Sequence, residues 1–389
     1  MTKIEWAHAG TGRGKTWNPI RARDRRTGAR GWHCEKVSPA CANCYAERWN
    51  QRPGIGGTGL PYKPGHRSDV EIYLDAQTLR APLHWKQPHG IFVGSMTDIF
   101  GEWVADERLD KIFAIAALCP QHIFIFLTKR PARMREYLRF DRRFEWSQAF
   151  DPATLPISAH HVDALLHPRA NPEHRALYRA ELVAWPLSNC WLGVTIEDQQ
   201  RADERIPYLL ATPAARRFAS CEPLLGEIAL HNLPLGQSGH VNALTGETLS
   251  FDGDYDPDGP RLDQIITGGE TGPNARPTHI DCERSIRDQC AAAGVAYFRK
   301  QVGEWKSVCE MSEEEIDGCY WPAPERHPEA TRKPKVRSIV MHRDGEIFDD
   351  PAAAGAFLQG KGAMQMFRVG RRRAGHLLDG REHHEFPRS

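Results

Sequence analysis

The chain has no surplus of either charge: 51 lysines and arginines face 50 acidic residues over 389 positions, a formal net charge of +1. Without a global field, a polyanion would have to be met by a local patch. It also lacks an apolar run of bilayer-spanning length and the basic start, apolar middle and small-residue cleavage site of a secreted protein. These two absences set aside a membrane partner and point to the cytoplasm. There is no tandem repeat. The glycine-rich run from Gly10 to Thr16 has neither the spacing of a phosphate loop nor a strand before it. Ten cysteines are scattered without the pattern of a disulfide framework, which favours reduced thiols with a few metal ligands.

What is present is a concentration of thiols. Cys34, Cys41 and Cys44 lie within eleven residues, spaced by six and then two, and the segment closes on Tyr45-Ala46-Glu47 and the first turn of a helix. Three thiolates can hold one face of an iron–sulfur cluster and leave one iron open to a small molecule. They can also build a closed zinc site, completed by His33, Cys309 or Cys319. Three packed thiols without a metal are the third reading. Spacing leaves all three standing.

From Ile91 onward a pattern recurs in which a short apolar run stops at polar residues and a helical stretch follows. Ile91–Gly94 ends in Ser95-Met96-Thr97-Asp98, and His122–Leu127 ends in Thr128-Lys129-Arg130. Trp191–Val194 ends in Thr195-Ile196-Glu197, Arg217–Ala219 in Ser220-Cys221-Glu222, Leu262–Ile266 in Thr267-Gly268-Gly269-Glu270, and Val295–Phe298 in Arg299-Lys300-Gln301. Helices are expected at Leu109–Leu118, Ala132–Leu138, Gln199–Leu210 and Glu283–Ala293. Short strands buried on both faces and alternating with helices indicate a parallel sheet. With a first strand at Thr16–Ile20, about seven units make an α/β fold, a partial (β/α) barrel whose chemistry gathers at the carboxyl ends of its strands. Residues 1–304 form this body, with insertions at 141–188, expected to be helical, and 227–261, expected to be a loop or small hairpin. Residues 305–389 form a C-terminal extension.

The segment Cys41-Ala42-Asn43-Cys44-Tyr45-Ala46-Glu47 resembles the end of the cluster loop in radical S-adenosylmethionine (radical SAM) enzymes, in particular the branch containing spore photoproduct lyase. More closely, the whole chain resembles a family of phage and prophage proteins known as a domain of unknown function. The likeness is carried by Trp17-Asn18-Pro19, the Cys-x6-Cys-x2-Cys-Tyr-Ala loop, Thr97-Asp98, Thr128-Lys129-Arg130-Pro131 and Gly193-Val194-Thr195. It continues through Glu222-Pro223-Leu224-Leu225-Gly226, Gly268-Gly269-Glu270-Thr271-Gly272, Arg287-Asp288-Gln289-Cys290, Lys300-Gln301-Val302-Gly303 and Leu378-Asp379-Gly380-Arg381. Three features depart from the pattern: His33 replaces a glycine before the first cysteine, Arg21–Trp32 is a longer insertion than usual, and most radical SAM enzymes have three residues in the first cysteine gap.

The resemblance implies a barrel of radical SAM type in which Cys34, Cys41 and Cys44 hold a [4Fe-4S] cluster. S-adenosylmethionine would bind the open iron, and an external electron donor would trigger its cleavage to a 5′-deoxyadenosyl radical. Ser95, Thr97 and Asp98 stand where such enzymes hold the SAM amino group, although Asp98 could equally cap the following segment. Lys129 and Arg130 would meet the SAM carboxylate or a substrate phosphate, or else form a solvated rim. Glu197 and Glu222 would reach the ribose or a substrate amine, Glu270 would face substrate, and Arg276 and Lys300 would stand at the rim. Gly268 and Gly269 fall too late in the chain for the cofactor role of a Gly-Gly-Glu motif, and serve close backbone approach or a tight turn. Cys221 and Cys290 read as packed thiols and Arg371-Arg372-Arg373 as a solvated face.

The expected function is rearrangement of a modified thymidine, from an N-linked to a C-linked glycyl adduct, during phage DNA hypermodification in the host cytoplasm. Its substrate would be a modified nucleobase in DNA, with a partner modification enzyme assisting access. One alternative is radical SAM repair or modification of another nucleobase in DNA or RNA. Another is a zinc-stabilised nucleic-acid-binding protein without catalysis.

Overall fold

The computed structural model describes residues 4–149, 184–322 and 332–387. The seven strands expected from the apolar runs are present: β1 Gly14–Trp17, β5 Gly90–Val93, β6 Ile123–Thr128, β7 Cys190–Thr195, β8 Arg216–Cys221, β13 Gln264–Gly268 and β14 Ala296–Gln301. They are hydrogen-bonded in the order β1-β5-β6-β7-β8-β13-β14, which is chain order, and the pairs β1–β5, β5–β6, β6–β7 and β13–β14 run parallel. Every residue of β5, β7 and β13 is buried, which explains their unbroken apolar runs. The mixed α/β architecture is compatible with a partial β/α barrel.

The chain divides into two compact units. The first comprises residues 1–195 and 205–218, the second 196–204 and 219–389.

In the first unit the helix Asp106–Ala117 buries Leu109, Ile112, Phe113 and Ile115 and carries Asp106 and Glu107 in its first turn, where the helix dipole favours acids. Pro131 opens the helix Pro131–Leu138, at the position where a missing N–H costs nothing. The stretch Arg21–Gly31 is more ordered than a polar excursion. Strands β2 Ile20–Asp24, β3 Arg30–Gly31 and β4 Val70–Leu74 form a three-stranded antiparallel sheet. In β2, Ile20, Ala22 and Asp24 are buried and alternate with half-buried Arg21 and Arg23. Of the expected helical insertion at 141–188, Arg143–Gln148 is a helix; residues 150–183 lie outside the described residues.

In the second unit the 227–261 insertion is a four-stranded antiparallel sheet of very short strands: β9 Leu233–Pro234, β10 Gly239–Val241, β11 Thr248–Ser250 and β12 Tyr255–Asp256. The helix Ile280–Ala293 is capped by His279, whose ring accepts from Asp281 N, and stops at left-handed Gly294. The extension contributes a second four-stranded antiparallel sheet, ordered β15-β18-β16-β17, from Lys306–Ser307, Met364–Phe367, Ser338–Met341 and Ile347–Phe348. It closes over Trp305, Ile339, Met341 and Met366.

Candidate functional site

The cysteine loop follows β3 directly and runs into the helix Tyr45–Asn50, which Cys44 precedes as N-cap residue. All three thiols are free and partly buried. Burial first, and then the Asp98 carboxylate, push the Cys34 thiol up to about 12. Burial also raises Cys44, against the pull of the Glu47 and Ala46 amides and of the Lys129 ammonium. A bound metal would reverse this, since a cation favours thiolate.

The loop is held from the ends of β5 and β6. Beyond β5, the Thr97 hydroxyl donates to the His33 carbonyl at 2.5 Å. At the end of β6, the buried Arg130 guanidinium donates to the Glu35 carbonyl at 3.1 Å, to Asp98 at 3.2 Å and to Glu102 at 3.0 Å, and lies over the Trp103 ring. Asp98 also accepts from the Thr128 hydroxyl at 2.7 Å and from the Lys129 and Phe100 amides. So Asp98 closes a turn and anchors the Arg130 fork, and no helix begins at it. Lys129 turns its amine to the Thr195 hydroxyl at 3.3 Å, at the end of β7. Ser95 exchanges hydrogen bonds with Asn18, whose amide oxygen also receives the Met96 N–H.

These bonds bring Ser95, Thr97, Asp98, Lys129 and Arg130 together with the cysteine loop. Thr97, Asp98 and Arg130 are engaged in positioning it. Ser95 and Lys129 are partly buried, and their side chains bond the Asn18 amide and the Thr195 hydroxyl. Behind the loop, Lys36 pairs with Glu47 at 2.6 Å, Glu47 also accepts from Tyr62 N, and Tyr62 donates to the Met96 carbonyl at 2.7 Å. Asn18, Thr128, Thr195, Glu47 and Tyr62 were not singled out from the sequence. For Asn18, Thr128 and Thr195 a signal existed, since all three sit in the strand-end motifs.

The donor set fits an iron–sulfur group: three unpaired sulfur ligands on one loop, beside a lysine. A closed zinc site fits less well. Such a site needs a fourth protein ligand. His33, a candidate fourth ligand, faces Glu35 at 3.3 Å and packs edge-on against Trp103.

In the second unit the other candidates form separate pairs. Glu222 binds Lys300 at 2.9 Å, and Glu270 binds Arg276 through both side chain and amide. Glu197 is fully buried. The glycine pair serves close approach, as expected: a Cβ on Gly268 would stand 2.6 Å from the Glu222 carboxylate, and one on Gly269 would stand 2.0 Å from the Val302 carbonyl. Cys221 and Cys290 are fully buried, and Arg371–Arg373 are exposed on a short helix.

A family model described as "Protein of unknown function (DUF5131)" matches residues 1–387. No curated protein and no solved structure matches the chain.

Proposed function

The chain belongs to that family of unknown function, and for it we propose a radical SAM enzyme that acts on a nucleobase. The observation that carries the proposal is the cysteine loop, with three unpaired thiols on a segment whose backbone is clamped by Thr97 and Arg130. Cys34, Cys41 and Cys44 would hold a [4Fe-4S] cluster; when bound, that group supplies the electron that cleaves SAM and yields a 5′-deoxyadenosyl radical. Asp98 and Arg130 keep the loop fixed, Lys129 offers its ammonium to the SAM carboxylate, and Ser95 offers its hydroxyl to the amino group. The roles of Glu197 and Glu222 at the ribose or a substrate amine, and of Glu270, Arg276 and Lys300 at substrate, rest on the family resemblance alone.

A nucleic-acid substrate draws support from the small sheet that leads into the loop. Arg21 stacks on Trp32 at 4.2 Å and Arg23 lies over Tyr73 at 5.4 Å, with Arg25, Arg26 and Arg30 exposed beside them. Arginines interleaved with aromatics suit a phosphate backbone and unstacked bases, and supply the local patch that a net charge of +1 requires. Within this class the specific reading is isomerisation of N-glycyl to C-glycyl thymidine in phage DNA, with repair or modification of another nucleobase as its alternative.

Anaerobic purification is the test of the cofactor. Iron and acid-labile sulfide should co-purify, SAM with reductant should release 5′-deoxyadenosine, and Cys44→Ala should abolish both. A colourless protein containing zinc and no iron would overturn the proposal in favour of a non-catalytic binding role. Mass spectrometry of nucleosides from phage DNA made with and without the gene tests the substrate; an unchanged profile would discard hypermodification.

A further inference from the structure

The turn between β16 and β17 places His342, Asp344 and Glu346 at alternate positions, with one ligand atom from each within 4.8 Å of the others. The His342 N–H donates to the Glu346 carbonyl at 2.8 Å, so the turn is closed by its own backbone.

His342 supplies a second observation. It is only 1 % exposed, and its Nε2 lies 2.9 Å from the Ala356 carbonyl oxygen. A carbonyl can only accept, so Nε2 carries the proton, and in the neutral ring Nδ1 is a bare lone pair. That nitrogen has no hydrogen-bond partner, yet it faces Glu346 Oε2 at 3.2 Å. Two acceptors so placed repel each other unless a positive centre joins them. A second proton on the ring would answer Glu346 alone; a cation would answer all three ligands. A histidine whose other ring nitrogen is tied to a backbone carbonyl is the usual arrangement in protein metal sites, because the bond fixes both tautomer and orientation.

We propose that His342, Asp344 and Glu346 bind a divalent cation that accepts mixed nitrogen and oxygen ligands, such as manganese or zinc. The carboxylates are about half exposed, so water would complete the coordination. Lys361 now pairs with Asp344 at 2.8 Å and is itself 44 % exposed, so it can swing into solvent when the ion arrives. Because the ring is anchored to Ala356, and Arg343 N bonds the Lys361 carbonyl, the ion would fasten this turn to the 349–361 loop. The site is independent of the cysteine loop and of the radical reading.

Manganese is the suitable probe, since its oxygen preference keeps it off the thiols. Titration of the full chain with manganese(II), followed by electron paramagnetic resonance, should show one saturable ion per chain and a rise in melting temperature with concentration. Asp344→Asn and Glu346→Gln, both on exposed side chains, should each weaken binding by ~10-fold or more. Glu71→Gln, in the small sheet of the first unit, should leave it unchanged. Absence of saturable binding up to millimolar manganese would overturn the site, as would unchanged affinity in both carboxylate variants. A manganese-free protein whose His342 ring proves doubly protonated and that takes up no ion would assign the contact to a simple ion pair.

Discussion

Two buried guanidinium clusters invite comparison, one in each unit. In the second unit, Arg299 is fully buried, and binds Glu283, Glu310 at 3.4 Å and the Leu377 carbonyl. Both of these carboxylates are buried. In the first, Arg130 is almost as buried and also binds two carboxylates, but its remaining hydrogen bond goes to the backbone of a loop whose own side chains are three free thiols. The two guanidiniums are alike in charge and nearly so in burial, but Glu102 is 58 % exposed where Glu283 and Glu310 are buried, and the networks end in different places. The first cluster spends a hydrogen bond on holding the cysteine loop, the second on closing a fold.

The comparison can be broken at its strongest point by Arg299→Met. That change strands the Glu283 and Glu310 carboxylates in the interior and should cost ~3–5 kcal/mol in denaturant titration. A loss below ~1 kcal/mol would show that the second cluster does not stabilise the fold. Next in size is Arg130→Lys, which keeps the charge and removes the fork. It should cost about 1–2 kcal/mol in stability while sharply reducing the iron retained after anaerobic reconstitution. Equal iron in wild type and variant would erase the distinction between the clusters. The smallest effect concerns an exposed counterpart. Hydrogen bonds from Arg284, at 2.6 Å, and from Arg287, at 2.5 Å, hold the Asp379 carboxyl down at about 2. Its stabilising contribution is therefore complete above the usual aspartate range near 4 and is lost as pH falls toward 2. Asp379→Asn should lower stability at neutral pH, with the deficit vanishing as pH falls from about 4 toward 2, so that the profile is flatter in that window.

Much of the architecture was legible because parallel strands buried on both faces leave compact apolar runs such as Ile91-Phe92-Val93. The β9–β12 sheet was not, since two- and three-residue strands amid glycine and aspartate carry no periodicity to read. β2 did alternate, but its inward positions are Ile20, Ala22 and Asp24, and the arginines between them dominated the reading. The thiols stood out by spacing, and Asp98, Lys129 and Arg130 by their place at strand ends. Their division of labour was hidden, because whether a strand-end residue faces a neighbour or an open space depends on partners 30 to 95 positions away. Arg299 and Lys300 show the same limit: adjacent in sequence, they part into a fully buried side chain and one that is 26 % exposed.

The bonds that hold the cysteine loop also fix when it can take shape. His33 is tied to Thr97, 64 residues downstream, and Glu35 to Arg130, 95 residues downstream. A nascent chain emerging from the ribosome therefore exposes its three thiols well before the parts that set their arrangement exist, and domains commonly fold as units only once their segments are complete. Under the proposed reading, loading of a cluster would therefore wait until β6 has been made, with the thiols open to oxidation until then.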